Sequence, residues 1–241
     1  MASVMERAPQ VREGKVVFDL AEQPLRQVNQ FLHQDLKAAG VKEVRVLNPD
    51  GAHSIAVGLN APVHVDIEGH AGYYAAGMNQ HASVTVHGNA GPGVAEGMTA
   101  GEVRVKGYAS VSAGAAAHGG LLVIDGDAGL RCGISMKGID IVVGGSVGDF
   151  SAFMAQAGTL VVCGDAGDAL GDSLYEAVIY VRGKIASLGA DAKVEPMTEE
   201  DCVRLGALLK KAGFAHDPKS FKRVSSARTL YHWNADANQE Y

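Results

Sequence analysis

The chain has 241 residues, 47% of them hydrophobic, with a formal net charge of -6 and a pI of about 5.8. That is ample apolar material for the core of one elongated domain, and the acidic balance argues against nucleic acid or an anionic membrane as the main partner. Met1 to Gln10 has no apolar run of the secretory kind, no stretch approaches a membrane span, and Cys132, Cys163 and Cys202 form neither a disulfide framework nor a C-x-x-C motif, so a reducing, cytoplasmic setting is expected.

In chain order, residues 14–20 read as a lead-in strand. Pro24 suits a first helical turn, and Leu25, Val28, Leu32 and Leu36 recur at helical spacing up to a stop at Gly40. Val44 to Leu47 and Ser54 to Leu59 read as strands around an Asn-Pro-Asp-Gly turn. Residues 1–60 are therefore expected to be an N-terminal cap with one helix, closing backbone that a repeat would otherwise leave open.

The next stretch is one phrase repeated. Gly69, Gly88, Gly107, Gly126, Gly145, Gly164 and Gly183 fall every 19 residues, by subtraction of their numbers. Four residues before each stands Val65, Val84, Val103, Leu122, Ile141, Leu160 or Ile179, and two before stands Ile67, Val86, Val105, Ile124, Val143, Val162 or Val181. Apolar residues two apart on a β-branched background make a short strand with one buried face. The glycine ends it at a corner, and polar turn formers such as Asn89, Asp127, Ser146 and Asp165 follow, expected to bond their own backbone. Seven residues past the corner the column is all small: Ala76, Ala95, Gly114, Gly133, Ala152, Gly171 and Ala190. A unit this short cannot bury its own apolar face and must stack on its neighbours. With no leucine and asparagine framework of a leucine-rich repeat, the pattern predicts a mainly β fold, a single-stranded β-helix over residues 61–190 with about seven 19-residue coils. Spacing does not set its handedness.

Three residues before the corner, the outward column reads Asp66, Thr85 and Arg104, then Val123, Val142 and Val161, then Tyr180. A strand apolar on both faces is covered on both. Low exposure is therefore expected for this valine ladder, covered by this chain's own terminal helices or by another subunit. Tyr73, Tyr74 and Met78 break the small-residue rule of the first coil and read as an aromatic contact surface, with end-coil packing as the alternative.

After Gly183 the period decays. Thr198 to Asp201 is a capping pattern, and Cys202, Leu205, Leu208 and Leu209 continue one helical face to Gly213. Residues 191–241 are expected to be a C-terminal helix and a docking tail, in which Tyr231, Trp233 and Tyr241 accompany Lys219, Lys222, Arg223 and Arg228.

Chemistry-bearing motifs are sparse. Gly144 to Gly148 matches G-x-S-x-G, but Ser146 and its glycines belong to the repeat, without a strand-turn-helix context. Asp127 and Asp165 read as turn caps rather than calcium ligands, because the calcium roll has a nonapeptide period. His70, His81 and His87 could approach one another in adjacent coils, yet the sequence shows no convergent ligand set. Asp66, Arg104 and Asp125 look dispersed rather than paired as in polysaccharide-cleaving β-helices. No phosphate loop is present. The residues read as a scaffold, with no catalytic, cofactor or metal residue assigned.

Asn48 to Ala56, Gly126 to Gly129, Gly164 to Gly167 and the corner glycines resemble the GXGXG domain, the C-terminal β-helix of the glutamate synthase large subunit, over about residues 44–191. The β-helical chain of formylmethanofuran dehydrogenase looks similar over the coils. Gly69 to Gln80, Arg131 to Gly138, Ser151 to Gly158, Gly171 to Ala177 and Ser226 to Tyr231 resemble more closely the stand-alone form, the small subunit of N-methylglutamate synthase. The resemblance implies a right-handed β-helix and a non-catalytic structural subunit that scaffolds an amidotransferase-like subunit and a synthase subunit with FMN and an iron–sulfur cluster. The implied reaction joins methylamine to glutamate with release of ammonia. The alternatives are an ammonia-using or glutamine-dependent glutamate synthase, a formylmethanofuran-type complex, or an autonomous β-helix polysaccharide enzyme.

Overall fold

The computed structural model describes residues 11–228. The chain enters through a hairpin, β1 (Val11–Arg12) to β2 (Lys15–Asp19). Its turn residues Glu13 and Gly14 have φ of 51° and 74°, the mirror-image turn that matches strand twist. Helix α1 (Leu25–Gln30) follows and runs on as a π-helical turn, Phe31–Asp35. The predicted helix is thus shorter in α-form than its apolar spacing implies, and Pro24 is its extended N-cap rather than part of its first turn. Val28, Phe31, Leu32 and Leu36 are nonetheless its buried side, and Gly40 turns the chain away with φ 64°.

The strand ladder then climbs in chain order: β3 (Glu43–Leu47), β4 (His64–Glu68), β5 (Ser83–Val86), β6 (Glu102–Val105), β7 (Leu121–Ile124), β8 (Lys137–Val143), β9 (Ala157–Val162) and β10 (Val178–Val181). From β2 to β10 each strand pairs in parallel with the next, and the architecture is a right-handed β-solenoid of about seven turns flanked by helical elements. The register keeps the aliphatic columns aligned, as in Val65↔Val84↔Val103↔Leu122↔Ile141. Their side chains fill the interior and are essentially fully buried. The N-terminal segment supplies two rungs of the same ladder, with Val16↔Val44↔Val65 and Phe18↔Val46↔Ile67 in line.

The side beyond the corner has a different backbone. Five, seven and nine residues past Gly69, the residues Tyr74, Ala76 and Met78 have φ of 61°, 52° and 54°. The same three positions are left-handed in the next five coils, for example Arg131, Gly133 and Ser135 or Phe150, Ala152 and Met154. Ser54, Ala56 and Gly58 repeat the pattern one coil earlier, so the strand expected over 54–59 is not formed. Alternating handedness still leaves every other N–H aimed at a neighbouring coil. Ala76 donates back to Ile55 at 2.9 Å, while Tyr74 and Met78 donate forward to Pro92 and Glu96 at 2.8 and 2.7 Å. From Ala76 to Gly171 the small-residue column sits at the middle, buried position of this motif, where a larger left-handed side chain would be both strained and crowded.

After β10 come β11 (Ala192–Glu195), helix α2 (Glu199–Ala212), a short 3-10 turn Pro218–Ser220 and β12 (Lys222–Ser226). β12 lies antiparallel on β10, and β11 antiparallel on β12, so the parallel ladder is closed by antiparallel strands at both ends. Part of the expected tail is therefore the strand β12. Tyr231 and Trp233 lie outside the described residues.

Candidate interaction surfaces

Corners hold the coils in register. Gly107, Gly126, Gly145 and Gly164 each donate their N–H to the preceding corner glycine at 2.7–2.9 Å. A Cβ on Gly126 would stand 2.9 Å from the Gly107 carbonyl oxygen, so this spacing excludes a side chain. After five of the seven corners the polar residue (His70, Asn89, Asp127, Ser146 or Asp165) bonds the next coil rather than its own backbone, which corrects the turn expected from sequence. Asn89 Oδ1 accepts from Tyr108 N at 3.1 Å, Asp127 Oδ1 from Ser146 N at 2.7 Å, and Asp165 Oδ1 from Lys184 N at 2.7 Å. Adjacent strands run about 4.7–4.9 Å apart, which a short side chain spans.

The outer strand face is divided. Over β7–β10, Val123, Val142 and Val161 have no exposed surface and pack in one cluster with Leu205, Leu209, Ala212 and Phe221. The cover on the valine ladder is therefore this chain's own α2, and these three side chains present nothing to a partner in this structure. Thr198 and Asp201 form the reciprocal capping box that starts the helix, and Gly213, with φ 83°, ends it. Arg104 grips its far end: its guanidinium pairs with Asp125 at 2.6 Å and donates to the Ala212 carbonyl at 3.0 Å. At the near end Tyr180 OH donates to Asp201 Oδ1 at 2.6 Å, while Arg223 bridges Asp201 and Glu195. Burial opposes charge on Asp201, but bonds from Tyr180 and Thr198 outweigh it and hold the carboxyl below its ordinary range. Lys193 and Ser225 bring Glu195 down to about 2.

Over β3–β6 the same face is open and charged. Arg45 pairs with Glu68 at 2.6 Å. Asp66 sits between His64 at 3.1 Å and His87 at 2.6 Å. Sequence reasoning grouped His87 with His70 and His81 instead, whereas His70 Nδ1 accepts from Asn89 N at 2.9 Å, at the corner. The signal for the true cluster was positional: residues two apart share a strand face, and His87 follows Asp66 by one coil plus two residues. Arg104 and Asp125, dispersed in sequence, are likewise paired across adjacent rungs. Among the described residues, no group of three or more His, Cys, Asp or Glu side chains is arranged to hold a metal ion.

The left-handed side carries a run of exposed apolar residues on successive coils. Tyr73 stacks on Tyr74 with ring centroids 5.6 Å apart, beside an exposed Met78. Phe150 meets Phe153 edge-on at 6.3 Å, with Met154 exposed alongside. The cysteines do not converge: Cys132 lies in the solenoid interior and Cys163 in the cluster beneath α2. Burial pushes their thiols up to about 12 and about 11, so neither is disposed to be a thiolate ligand. Among the described residues no helix is long and apolar enough to cross a membrane.

A right-handed solenoid with packed interior columns, cross-coil corner caps and faces of distinct chemistry is the class of protein that presents long surfaces to others. Over 226 residues, 93% of this chain and 99% of the relative, it is 57% identical to Protein GlxC of Rhizobium meliloti (strain 1021). No protein-family model matches the chain. The chain belongs to the glutamate-synthase-like GXGXG β-helix family. Family and fold together support a structural-subunit role in a glutamate-synthase-like system.

Proposed function

We propose that this chain is the non-catalytic β-helix subunit of an N-methylglutamate synthase. It holds an amidotransferase-like subunit and a synthase subunit, bearing FMN and an iron–sulfur cluster, in one assembly in the cytoplasm. The reaction is transfer of methylamine to glutamate with release of ammonia, carried out on those partners. One observation carries the reading. The stretches 69–80, 131–138, 151–158 and 171–177, which resemble the N-methylglutamate synthase subunit, all fall on or beside the left-handed side, where Tyr73, Met78, Arg131 and Met154 are exposed. Against an autonomous polysaccharide enzyme, three carboxylates of the open strand face are paired with basic side chains: Glu68 with Arg45, Asp66 with His64 and His87, Asp125 with Arg104. Each of these carboxylates faces a basic side chain rather than a second carboxylate, whereas a glycosidase sets two carboxyls against one bond as acid and base.

The test is co-purification of the chain from its source, followed by turnover assays with glutamate and either methylamine or ammonia. Recovery with the two partner chains, an absorption spectrum of flavin and cluster, and methylamine-dependent product are the expected results. A lone, colourless chain overturns the subunit reading. A complex that turns over ammonia but not methylamine overturns the reaction assigned.

A further inference from the structure

The left-handed side carries one column whose chemistry changes along the solenoid. Four residues past successive corners stand Tyr73, Pro92, Val111 and Leu130, then Asp149 and Asp168. They are rung neighbours, since Gly93, Ser112 and Arg131 donate to the carbonyls of Val111, Leu130 and Asp149 at 2.9–3.0 Å. Tyr73 is 49% exposed, Val111 37% and Leu130 49%, and Phe150 and Met154 beside them are 45% and 49% exposed. Contiguous exposure of large apolar side chains on adjacent coils marks a contact surface rather than scattered surface residues. The outer strand face offers no comparable patch over its described rungs, being covered by α2 or laced with ion pairs.

Charge decides the occupant. Glu96, Asp149, Asp168 and Asp172 border the apolar column, against the cation Arg131. A second copy of this chain seated on the same face would set acids against acids. This chain's own residues 229–241 contain Asp236 and Glu240 but neither lysine nor arginine, so they do not complement it either. We infer that the column from Tyr73 to Leu130 docks another polypeptide, through an apolar strip whose rim is basic and meets Asp149, Asp168 and Asp172. Apolar contact supplies affinity, and the acidic end fixes register and speeds encounter. This inference rests on the subunit reading above and names the surface that reading uses.

The experiment compares the tagged full-length chain with V111E/L130E, with D149N/D168N and with V203E. Val203 is 75% exposed on α2 and serves as the distant control. The asparagines keep the oxygens that accept from Asp168 N and Ser187 Oγ, so they remove charge and leave the corner bonds. Each variant is checked by circular dichroism and expressed in the source, and recovery of the amidotransferase-like and flavin/iron–sulfur chains is quantified. Expected is a tenfold or larger loss of at least one partner from V111E/L130E, with V203E like wild type. D149N/D168N is expected to weaken recovery at low salt and to match wild type at high salt, where screening removes the attraction. Wild-type assembly left intact by V111E/L130E overturns this inference alone, and failure of the wild type to recover either chain overturns the subunit reading and this inference with it. Two further results overturn the occupant: a dimer of the isolated chain that V111E/L130E breaks, or exchange protection of Val111 and Leu130 that disappears on truncation after Arg228.

Discussion

The side-chain oxygen of Asn29 accepts the N–H of Ala56 at 3.1 Å, in the place that the Ile55 carbonyl fills for Ala76 one coil later. The same amide donates to the Ser54 carbonyl at 2.9 Å. A helix side chain thus substitutes for the missing coil at the solenoid's N-terminal end, where Ala56 is left-handed and fully buried. Asn29→Ala leaves a buried N–H without an acceptor, which costs about 1–3 kcal/mol. The expected result is a thermal midpoint lower by several degrees, with Asn29→Gln failing to restore it because the longer arm misplaces both groups. A midpoint unchanged in Asn29→Ala would show that the end coil satisfies Ala56 in another way.

Gly114 tests the left-handed column. Its φ is 67°, and an added Cβ would come within 2.6 Å of Ile141 Cδ1 and 3.2 Å of Leu122 Cδ2. Gly40 is left-handed too, with φ 64°, but a Cβ there meets open space. Both Gly→Ala changes carry the left-handed penalty of about 1–2 kcal/mol, and Gly114→Ala adds about 1–3 kcal/mol of overpacking. Chemical denaturation should therefore separate them, Gly114→Ala being the less stable. Equal midpoints would mean that backbone strain alone governs this column.

Leu209 anchors α2 over the valine ladder. It is 1% exposed in the cluster with Val123, Val142 and Val161. Truncation to alanine costs about 2–5 kcal/mol where the site cannot collapse. Because α2 is joined to the solenoid by flanking segments, the loss should appear locally: faster amide exchange across 199–213 and new binding of a hydrophobic dye to the uncovered valines, with β4–β6 protected as before. Uniformly faster exchange throughout would instead show helix and solenoid to be one cooperative unit.

How much of this was legible follows from which physics sets each feature. Val65 and Ile67 announce a strand because period-two alternation is a local signal, and repetition every 19 residues tells where it must stack. Val123, Val142 and Val161 announced a cover for the same reason. The helix that covers them was legible as a helix from its cap at Thr198, but its seat depends on Arg104 and Tyr180, which no sequence spacing joins to it. The left-handed side was not legible, because Ala76, Tyr74 and Met78 adopt that backbone against their preference. Coil-to-coil bonds impose it, and the trace in sequence was the column of alanine and glycine seven past each corner. His64, Asp66 and His87 were separable into a cluster only once adjacent rungs were in register.

Acid should loosen α2 before the solenoid. Asp201 is held ionised below its ordinary range, since bonds from Tyr180 and Thr198 outweigh its burial, and Glu195 is brought from 4.5 to about 2 by Lys193, Ser225 and Arg223. Carboxyls with depressed folded values contribute stability that is complete above their unfolded values and is lost as pH falls through the folded ones. Their contribution is therefore full at neutral pH and declines from about pH 4.5 towards pH 2. Amide exchange followed down this range should quicken first in 199–213 and in β11, which both carboxyls tie to Arg223. Asp201→Asn combined with Glu195→Gln should weaken α2 at neutral pH and flatten that acid dependence. If the double variant loosens with acid as steeply as the wild type, the titrating groups lie elsewhere, with the open-face carboxylate Asp66, also held below its ordinary range, the next to replace.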